Sequence, residues 1–388
     1  MATGEEADIH YKCEACGANL RFAPGQAALV CDHCGHVQTI SGAAPPAVPS
    51  AAPSGTRNVA PAAIAELDYL SAVSNDLPPA AMEETRQVTC PSCGASFTLK
   101  PEAHAAECPF CATPVVADTG AERRFKPQGV VPFRLTETQA RQAMTRWLGR
   151  LWFAPSGLQD YARKGRALTG IYVPYWTFDA MTVSAYRGER GEYWYETRTV
   201  MVEVNGRMEQ RQEQIRHVNW FPVQGMVSRR FDDLLVMAST SLPRRYIDGL
   251  EPWTLAELQS YSPDYLAGFQ AEGYTLGLED GHRVARAEMD QVIRGDVARD
   301  IGGDEQRILA VDTQASEETF KHILLPVWMA AYKYGGKSYR FVVNGQTGRV
   351  QGERPWSAWK IALAVVLGLI AAGALAYYYQ FWQQTQGY

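Results

Sequence analysis

No cysteine occurs after residue 111, and the short motifs that announce common catalytic machinery are absent throughout. There is no HExxH, no GxSxG and no GxGxxG, so zincin, nucleophile-elbow and dinucleotide-binding chemistries lack their signatures. Gly335-Gly336-Lys337-Ser338 looks like the end of a P-loop, but the required first glycine falls on Ala331 and the flanks read as strand, turn, strand. No acidic run follows an apolar strand to complete a helicase or ATPase. No cysteine is left over as a nucleophile. His217, His282 and His322 stand apart from one another and read as surface or satisfied core histidines, and Asp232-Asp233 reads as a solvated turn. These absences weigh against an enzyme without closing the case, because active sites assemble from distant residues. Excess basic charge is also missing: 37 Lys and Arg face 42 Asp and Glu, a net charge of −5. That balance does not advertise a nucleic-acid surface. The N-terminal residues MATGEEADIH contain no apolar h-region, so no secretory signal peptide is expected.

One long apolar run is present. Ile361 to Ala376 reads IALAVVLGLIAAGALA, with Trp359 and Lys360 before it and Tyr377, Tyr378, Tyr379, Phe381 and Trp382 after it. A helix over 359–379 is about 32 Å long, against a hydrocarbon core of roughly 30 Å. Aromatic residues at both ends match interfacial belts. A buried core helix would need apolar partners around its whole circumference. Arg349, Arg354 and Lys360 precede the run, and 377–388 contains no Lys or Arg. The positive-inside rule then places the N-terminus and all folded domains in the cytoplasm, with 380–388 as a short tail outside. Within the span Ala364, Gly368, Ala372 and Ala376 recur every fourth residue, a stripe suited to close packing against a second span in a homo-oligomer.

All eight cysteines fall in CxxC pairs. Cys13 and Cys16 are followed after fourteen residues by Cys31 and Cys34; Cys90 and Cys93 are followed after fourteen by Cys108 and Cys111. Gly17, Gly35 and Gly94 each follow a pair. Tight CxxC turns offer two thiolates to one ion, and two turns complete a tetrahedral site. Disulfides do not suit a cytoplasmic chain. A redox CxxC would open a helix after a strand, which these pairs do not. Four-cysteine sites also suit iron–sulfur clusters, but paired CxxC turns at ribbon spacing favour Zn²⁺, two per chain. The segments resemble zinc ribbons of the transcription-factor-IIB type, which bind DNA, RNA or protein, or cap a fold. Residues 1–40 carry Lys12 and Arg21 against Glu5, Glu6, Asp8, Glu14 and Asp32; 88–118 carry Lys100 against Glu102, Glu107 and Asp118. Each four-thiolate zinc centre adds about two negative charges. Phosphate binding wants clustered Lys and Arg, so protein contact is favoured over nucleic acid.

The sequence divides accordingly: ribbon 1 (1–40), a Pro/Ala-rich flexible linker (41–63), a short helix and connector (64–85), ribbon 2 (86–118), a body (125–356), the span (359–379) and the tail. Ile64, Leu67, Leu70 and Val73 suggest one amphipathic face. In the body Thr136 to Gln139 forms a capping box opening a helix to about Leu151, with Ala140, Met144, Trp147 and Leu151 inward. Strands are expected over 170–186, 193–204, 212–221 and 234–239, with Asn205-Gly206 as a hairpin turn. A helix follows over 283–301 with Ala285, Met289, Val292, Ile293 and Val297 inward, and strands return over 308–313, 319–334, 338–344 and 348–352. Ile171 to Trp176 (IYVPYW) is echoed by Ile323 to Trp328 (ILLPVW), and proline within a strand implies an edge or a bulge. The expected class is multidomain: two small β zinc ribbons, an α+β body with mainly antiparallel strands, and one C-terminal transmembrane helix.

The whole arrangement resembles a family of uncharacterised bacterial inner-membrane proteins that are tail-anchored and carry tandem zinc ribbons. Both cysteine frames, Tyr265 to Phe269 (YLAGF), Leu325 to Trp328 (LPVW) and Tyr339 to Gly348 (YRFVVNGQTG) carry the likeness. Members are likened to the zinc-binding part of the primosomal replication helicase, a likeness confined here to the cysteines. The expected function is a single-pass, membrane-tethered adaptor that organises protein partners at the cytoplasmic face. A membrane-held nucleic-acid-binding factor is the second reading, and an enzyme housed in the body the third.

Overall fold

A computed structural model describes residues 11–40, 64–74, 77–78, 81–92, 94–98, 105–108, 113–116, 121–153, 168–204, 207–334, 337–353 and 357–385. The linker 41–63, Asn205-Gly206, Gly335-Gly336, Arg354 and two of the eight cysteines, Cys93 and Cys111, lie outside these residues. In chain order, β1 (Leu20–Phe22), β2 (Ala28–Cys31) and β3 (Val37–Thr39) form an antiparallel sheet around the first cysteine frame. β4 (Leu67–Asp68) leads into α1 (Tyr69–Val73). β5 (Met82–Thr89), β6 (Ser96–Thr98), β7 (Ala105–Glu107), β8 (Pro114–Val116) and β9 (Ala121–Phe125) surround the second frame; β5 pairs with β6 and β9, and β7 with β8. The body then runs β10 (Gly129–Val130), α2 (Glu137–Gly149), β11 (Thr169–Val204), β12 (Arg207–Met237), α3 (Arg244–Asp248), β13 (Gln259–Ser260), β14 (Gln270–Ala271), α4 (Leu278–Ile301), β15 (Glu305–Tyr334), β16 (Lys337–Asn344) and β17 (Val350–Gly352). α5 (Ala358–Thr385) ends the described chain.

Three very long strands dominate a mostly antiparallel sheet with the order β12, β11, β15, and β16 pairing further along β15. What the sequence suggests as four strands over 170–239 is two. β11 spans 36 residues and β12 spans 31, paired without a break from Val204↔Arg207 back to Gly191↔Trp220 and beyond. The expected strands over 308–334 likewise merge into β15. Gly188 and Gly191 look like turn punctuation in sequence but are absorbed into the ladder. At Gly188 a Cβ would lie 2.5 Å from the Arg307 carbonyl oxygen, so glycine lets β15 approach where the register shifts.

The two proline-bearing echoes are central, not edge, strands, and they pair with each other: Tyr172 opposes Pro326 and Pro174 opposes Leu324. Pro174 accepts a hydrogen bond from Ala238 N at 2.9 Å and Pro326 one from Gly345 N at 2.8 Å. The donors Ala238 and Gly345 each lie one residue past the end of the outer neighbour, β12 and β16. A residue's N–H and C=O point to the same side of a strand. Each proline therefore lacks its N–H where the outer neighbour has just left the sheet.

Alternation of β11 and β15 defines two faces. Tyr172, Leu324 and Trp328 face one core, which also contains Phe133, α2, and Cys13, Leu20, Phe22, Leu29, Cys31 and Ile40 from the first ribbon. Further along the same face Trp176, Phe178 and Phe320 pack under α4. The opposite face carries Ile171, Val173, Tyr175, Ile323, Leu325 and Val327, and packs against Val88, Cys90, Ala95, Phe97, Cys108 and Val115. Both cysteine frames thus share cores with the body.

The helices obey their caps. Thr136 and Gln139 form the expected reciprocal capping box, and Ala140, Ala143, Met144 and Leu148 are buried, while Trp147 and Leu151 are half-buried. α4 starts earlier than expected, at Leu278, and buries Ala285, Met289, Ile293 and Val297; Val292 points outward, one residue off the buried stripe. The amphipathic helix expected over 64–73 is a correction: Leu67 belongs to β4 on β15, helix begins only after the Asp68 cap, and Leu70 and Val73 are exposed. The apolar period was met by strand pairing instead of a helix face. α5 has a segment, Trp359–Tyr379, long and apolar enough to cross a membrane, and none of it is buried in the protein. The core-helix alternative therefore has no packing behind it, and the helix fits a membrane anchor. Ala364, Gly368, Ala372 and Ala376 lie on this helix with nothing within 4 Å of a Cβ at Gly368.

Candidate metal centre

In the first frame each CxxC turn is closed by the backbone. Gly17 N donates to Cys13 O at 2.8 Å, and Gly35 N to Cys31 O at 2.9 Å. Both glycines adopt positive φ, +72° and +74°, which a side chain resists. Cys13 N then reaches Ala18 O, and Cys31 N reaches His36 O. These bonds fold each turn so that its two sulfurs face the other turn's. The four Sγ atoms lie within 4.8 Å of one another, with Cys13 to Cys34 and Cys16 to Cys31 each at 3.5 Å. Four sulfurs held 2.3 Å from one tetrahedral ion lie about 3.8 Å apart, so the donor set fits zinc in kind and spacing. The backbone N–H of Cys34, chiefly, brings the Cys31 thiol down to about 6, while Cys16 and Cys34 beside it are pushed up, so the first thiolate forms on Cys31. Cys13 and Cys31 are buried against the body, and Cys16 and Cys34 are exposed.

The second frame repeats the backbone half of this design. Gly94 N donates to Cys90 O at 2.9 Å with φ +74°, Cys90 N reaches Ala95 O at 2.8 Å, and Cys108 N reaches Thr113 O at 2.8 Å. Cys90 and Cys108 are buried in the same core.

Other residues singled out in the sequence have structural partners. His322 is fully buried, and burial brings it down to about 4, so it is neutral; its Nδ1 lies 3.0 Å from Phe125 O. His282 meets Glu318 and stacks on Tyr69, and His217 lies 3.2 Å from Glu196 against Trp194. Tyr334 pairs with Lys337 and Lys333 with Ser338, so antiparallel strands flank Gly335-Gly336, where a P-loop would lead into a helix. Asp232-Asp233 is not a solvated turn: both residues lie in β12, and Asp233 pairs with Lys321, whose side chain is only 6% exposed.

Glu272 is a residue the sequence did not flag. It is fully buried where the second frame meets the sheet: Phe97 bridges to it, and Gly273 N donates to Ser96 O at 2.9 Å. Burial raises its carboxyl to about 8, although Ser239 donates to it. A folded-state value raised above the unfolded one gives stability that is complete below about 4.5 and lost as pH climbs towards 8. The loss amounts to about 5 kcal/mol at most. Glu272→Gln is expected to flatten the fall in melting temperature between pH 5 and pH 9. An unchanged slope in thermal melts would assign the pH dependence elsewhere.

With the geometry in place, the chain can be set beside known proteins. Over 245 residues it is 27% identical to the "Uncharacterized protein YdjG" of Bacillus subtilis (strain 168), an alignment covering 61% of this chain and 66% of that protein. The chain thus spans just under two thirds of the relative's length. No family model and no solved structure matches.

Proposed function

We propose that this chain is a membrane-tethered, non-enzymatic adaptor whose two zinc ribbons serve protein partners at the cytoplasmic face. The observation that carries the reading is the four-cysteine cluster built into one end of the sheet body, in a chain that ends in an unburied apolar helix. A site whose four positions are all thiolates suits a structural ion and leaves no open position for substrate. A second zinc is supported by the repeated knuckle bonds at Cys90 and Cys108. The electrostatics favour protein over nucleic acid. Among residues 11–40 the basic side chains are Lys12 and Arg21, and Arg21 is already held by Asp32 at 2.7 Å. Arg349 before the helix and Lys360 in its first turn support a cytoplasmic N-terminal side, checked by a cytoplasm-only reporter at Met1, which should be active.

Capture from detergent extracts, with and without nuclease, tests the proposal. Protein partners should be retained after nuclease and lost with Cys31→Ser. Loss of the partners on nuclease treatment, or a submicromolar, steeply salt-dependent affinity for random duplex, would replace the adaptor with a nucleic-acid factor.

A further inference from the structure

β15 begins opposite Gly191, so from Glu192 to Val204 and from Arg207 to Asn219 the strands β11 and β12 pair only with each other among the described residues. This arm is about 40 Å long. Its root is braced: Asp304 N donates to Gly191 O, Tyr193 OH donates to Glu305 at 2.8 Å, and Arg307 lies 3.7 Å over the Trp220 ring. Beyond that root none of its described side chains joins a hydrophobic core. A lone two-stranded hairpin is marginal in water, and an open edge invites another strand. From Arg207 to Phe221 the β12 edge has neither proline nor lysine, the usual guards against such pairing.

The edge has a particular sequence. Gln210, Arg211, Gln212, Glu213 and Gln214 are all exposed, and they read as Gln, cation, Gln, anion, Gln. Set antiparallel to itself about Gln212, this segment places Arg211 opposite Glu213 twice and glutamine opposite glutamine three times. Directly opposed opposite charges stabilise a strand pair, and facing glutamine amides can bond each other. The register is discriminating. Slipping it by two residues, the next register that keeps each pair on one face, sets Arg211 against Arg211 or Glu213 against Glu213. The even spacing also keeps each pair on one face, as a twofold axis through the sheet requires.

We propose that the β12 edge of the arm pairs antiparallel with the same edge of a second copy of this chain, centred on Gln212, to form a four-stranded intermolecular sheet. The contact is independent of the metal reading and of the small-residue stripe in the terminal helix.

The test is energy transfer between full-length chains carrying donor or acceptor fluorescent proteins at Met1, reconstituted together in liposomes. Wild type should associate. Glu213→Arg alone, or Arg211→Glu alone, creates two like-charge pairs and should weaken association by about tenfold. Mixing the Glu213→Arg chain with the Arg211→Glu chain restores both opposite pairs, and so does the double exchange Arg211→Glu with Glu213→Arg. Each of these combinations should recover association near the wild-type level, which a folding defect could not do. A wild-type chain that stays monomeric overturns the proposal. Single variants that associate as well as wild type also overturn it, and assign self-association to the terminal helix.

Discussion

Cys31→Ser is expected to remove one zinc ion per chain and, beyond opening the ribbon, to lower the melting temperature of the sheet body. The paired CxxC spacing and the linker 41–63 suggest ribbons that unfold alone. The packing argues otherwise. Cys31, Leu20, Phe22 and Leu29 lie in one core with Phe133, Tyr172, Tyr265 and Trp328. Phe22 packs edge-on against Tyr265 and Phe269, with centroids 5.4 and 6.3 Å away. Phe22 N also donates to Ala267 O at 2.9 Å, and Gly25 N to Phe133 O at 2.9 Å. A structural zinc contributes about 10–16 kcal/mol to the folding of isolated fingers, so its loss should open the ribbon. Each large apolar side chain then exposed on the body costs about 1.5–3 kcal/mol. Elemental analysis should fall from two zinc ions to one. Amide exchange should rise along 322–328 of β15, where the ribbon core touches the sheet. An unchanged body melting temperature, with zinc lost, would mean that the ribbon rests on the body without supporting it. Iron in place of zinc, or fewer than one ion in the wild type, would sink the metal assignment.

What could be read in the sequence was whatever local chemistry dictates. The cysteine turns of the first frame, the Thr136–Gln139 capping box and the apolar helix from Trp359 each depend on residues within a few positions of one another, and they stand as expected. The length of β11 and β12 was hidden because Gly188, Gly191 and Gly225 mimic turn punctuation, whereas in the sheet they relieve close contacts with Arg307, Trp220 and Tyr186. Docking of the ribbons was hidden for a different reason. Leu20, Phe22 and Leu29 look like the small core of a ribbon, and nothing local says that their far side meets Phe133 or Trp328. The buried ionisable residues were least legible, because Glu272 and Lys321 owe their environment to segments distant in sequence.

Lys321→Met is expected to destabilise the body by about 3 kcal/mol, the low end of the cost of breaking a buried ion pair, because of its partners only Asp179 is buried while Asp233 and Glu66 reach solvent. Lys321 Nζ lies 2.7 Å from Asp233, 2.9 Å from Glu66 and 3.5 Å from Asp179. These carboxylates come from three separate segments. Asp179 sits where both ladders of β11 shift register, and Asp233, with φ +53°, donates its backbone N–H to Asp179. Glu66 precedes β4 and also accepts from Thr319 at 2.9 Å, so the lysine fastens the segment after the linker to the sheet. Burial alone would lower the lysine's pKa, but the bonds to Asp233 and Glu66 outweigh it and raise the value. Burial raises Asp179 in turn. Methionine keeps the volume and removes the charge, leaving three carboxylates to repel one another. The deficit should therefore shrink as acid neutralises them, so wild type and variant should differ less at pH 4 than at pH 7. Replacing Asp179 and Asp233 by asparagine in the Lys321→Met chain should recover much of the loss, while Asp232→Asn, at an exposed position, should recover none. Amide exchange over 66–73 provides the local readout: those residues should lose protection in the single variant before the rest of the sheet does. Equal melting temperatures for wild type and Lys321→Met at pH 7 would show that water, and not the lysine, satisfies the three acids.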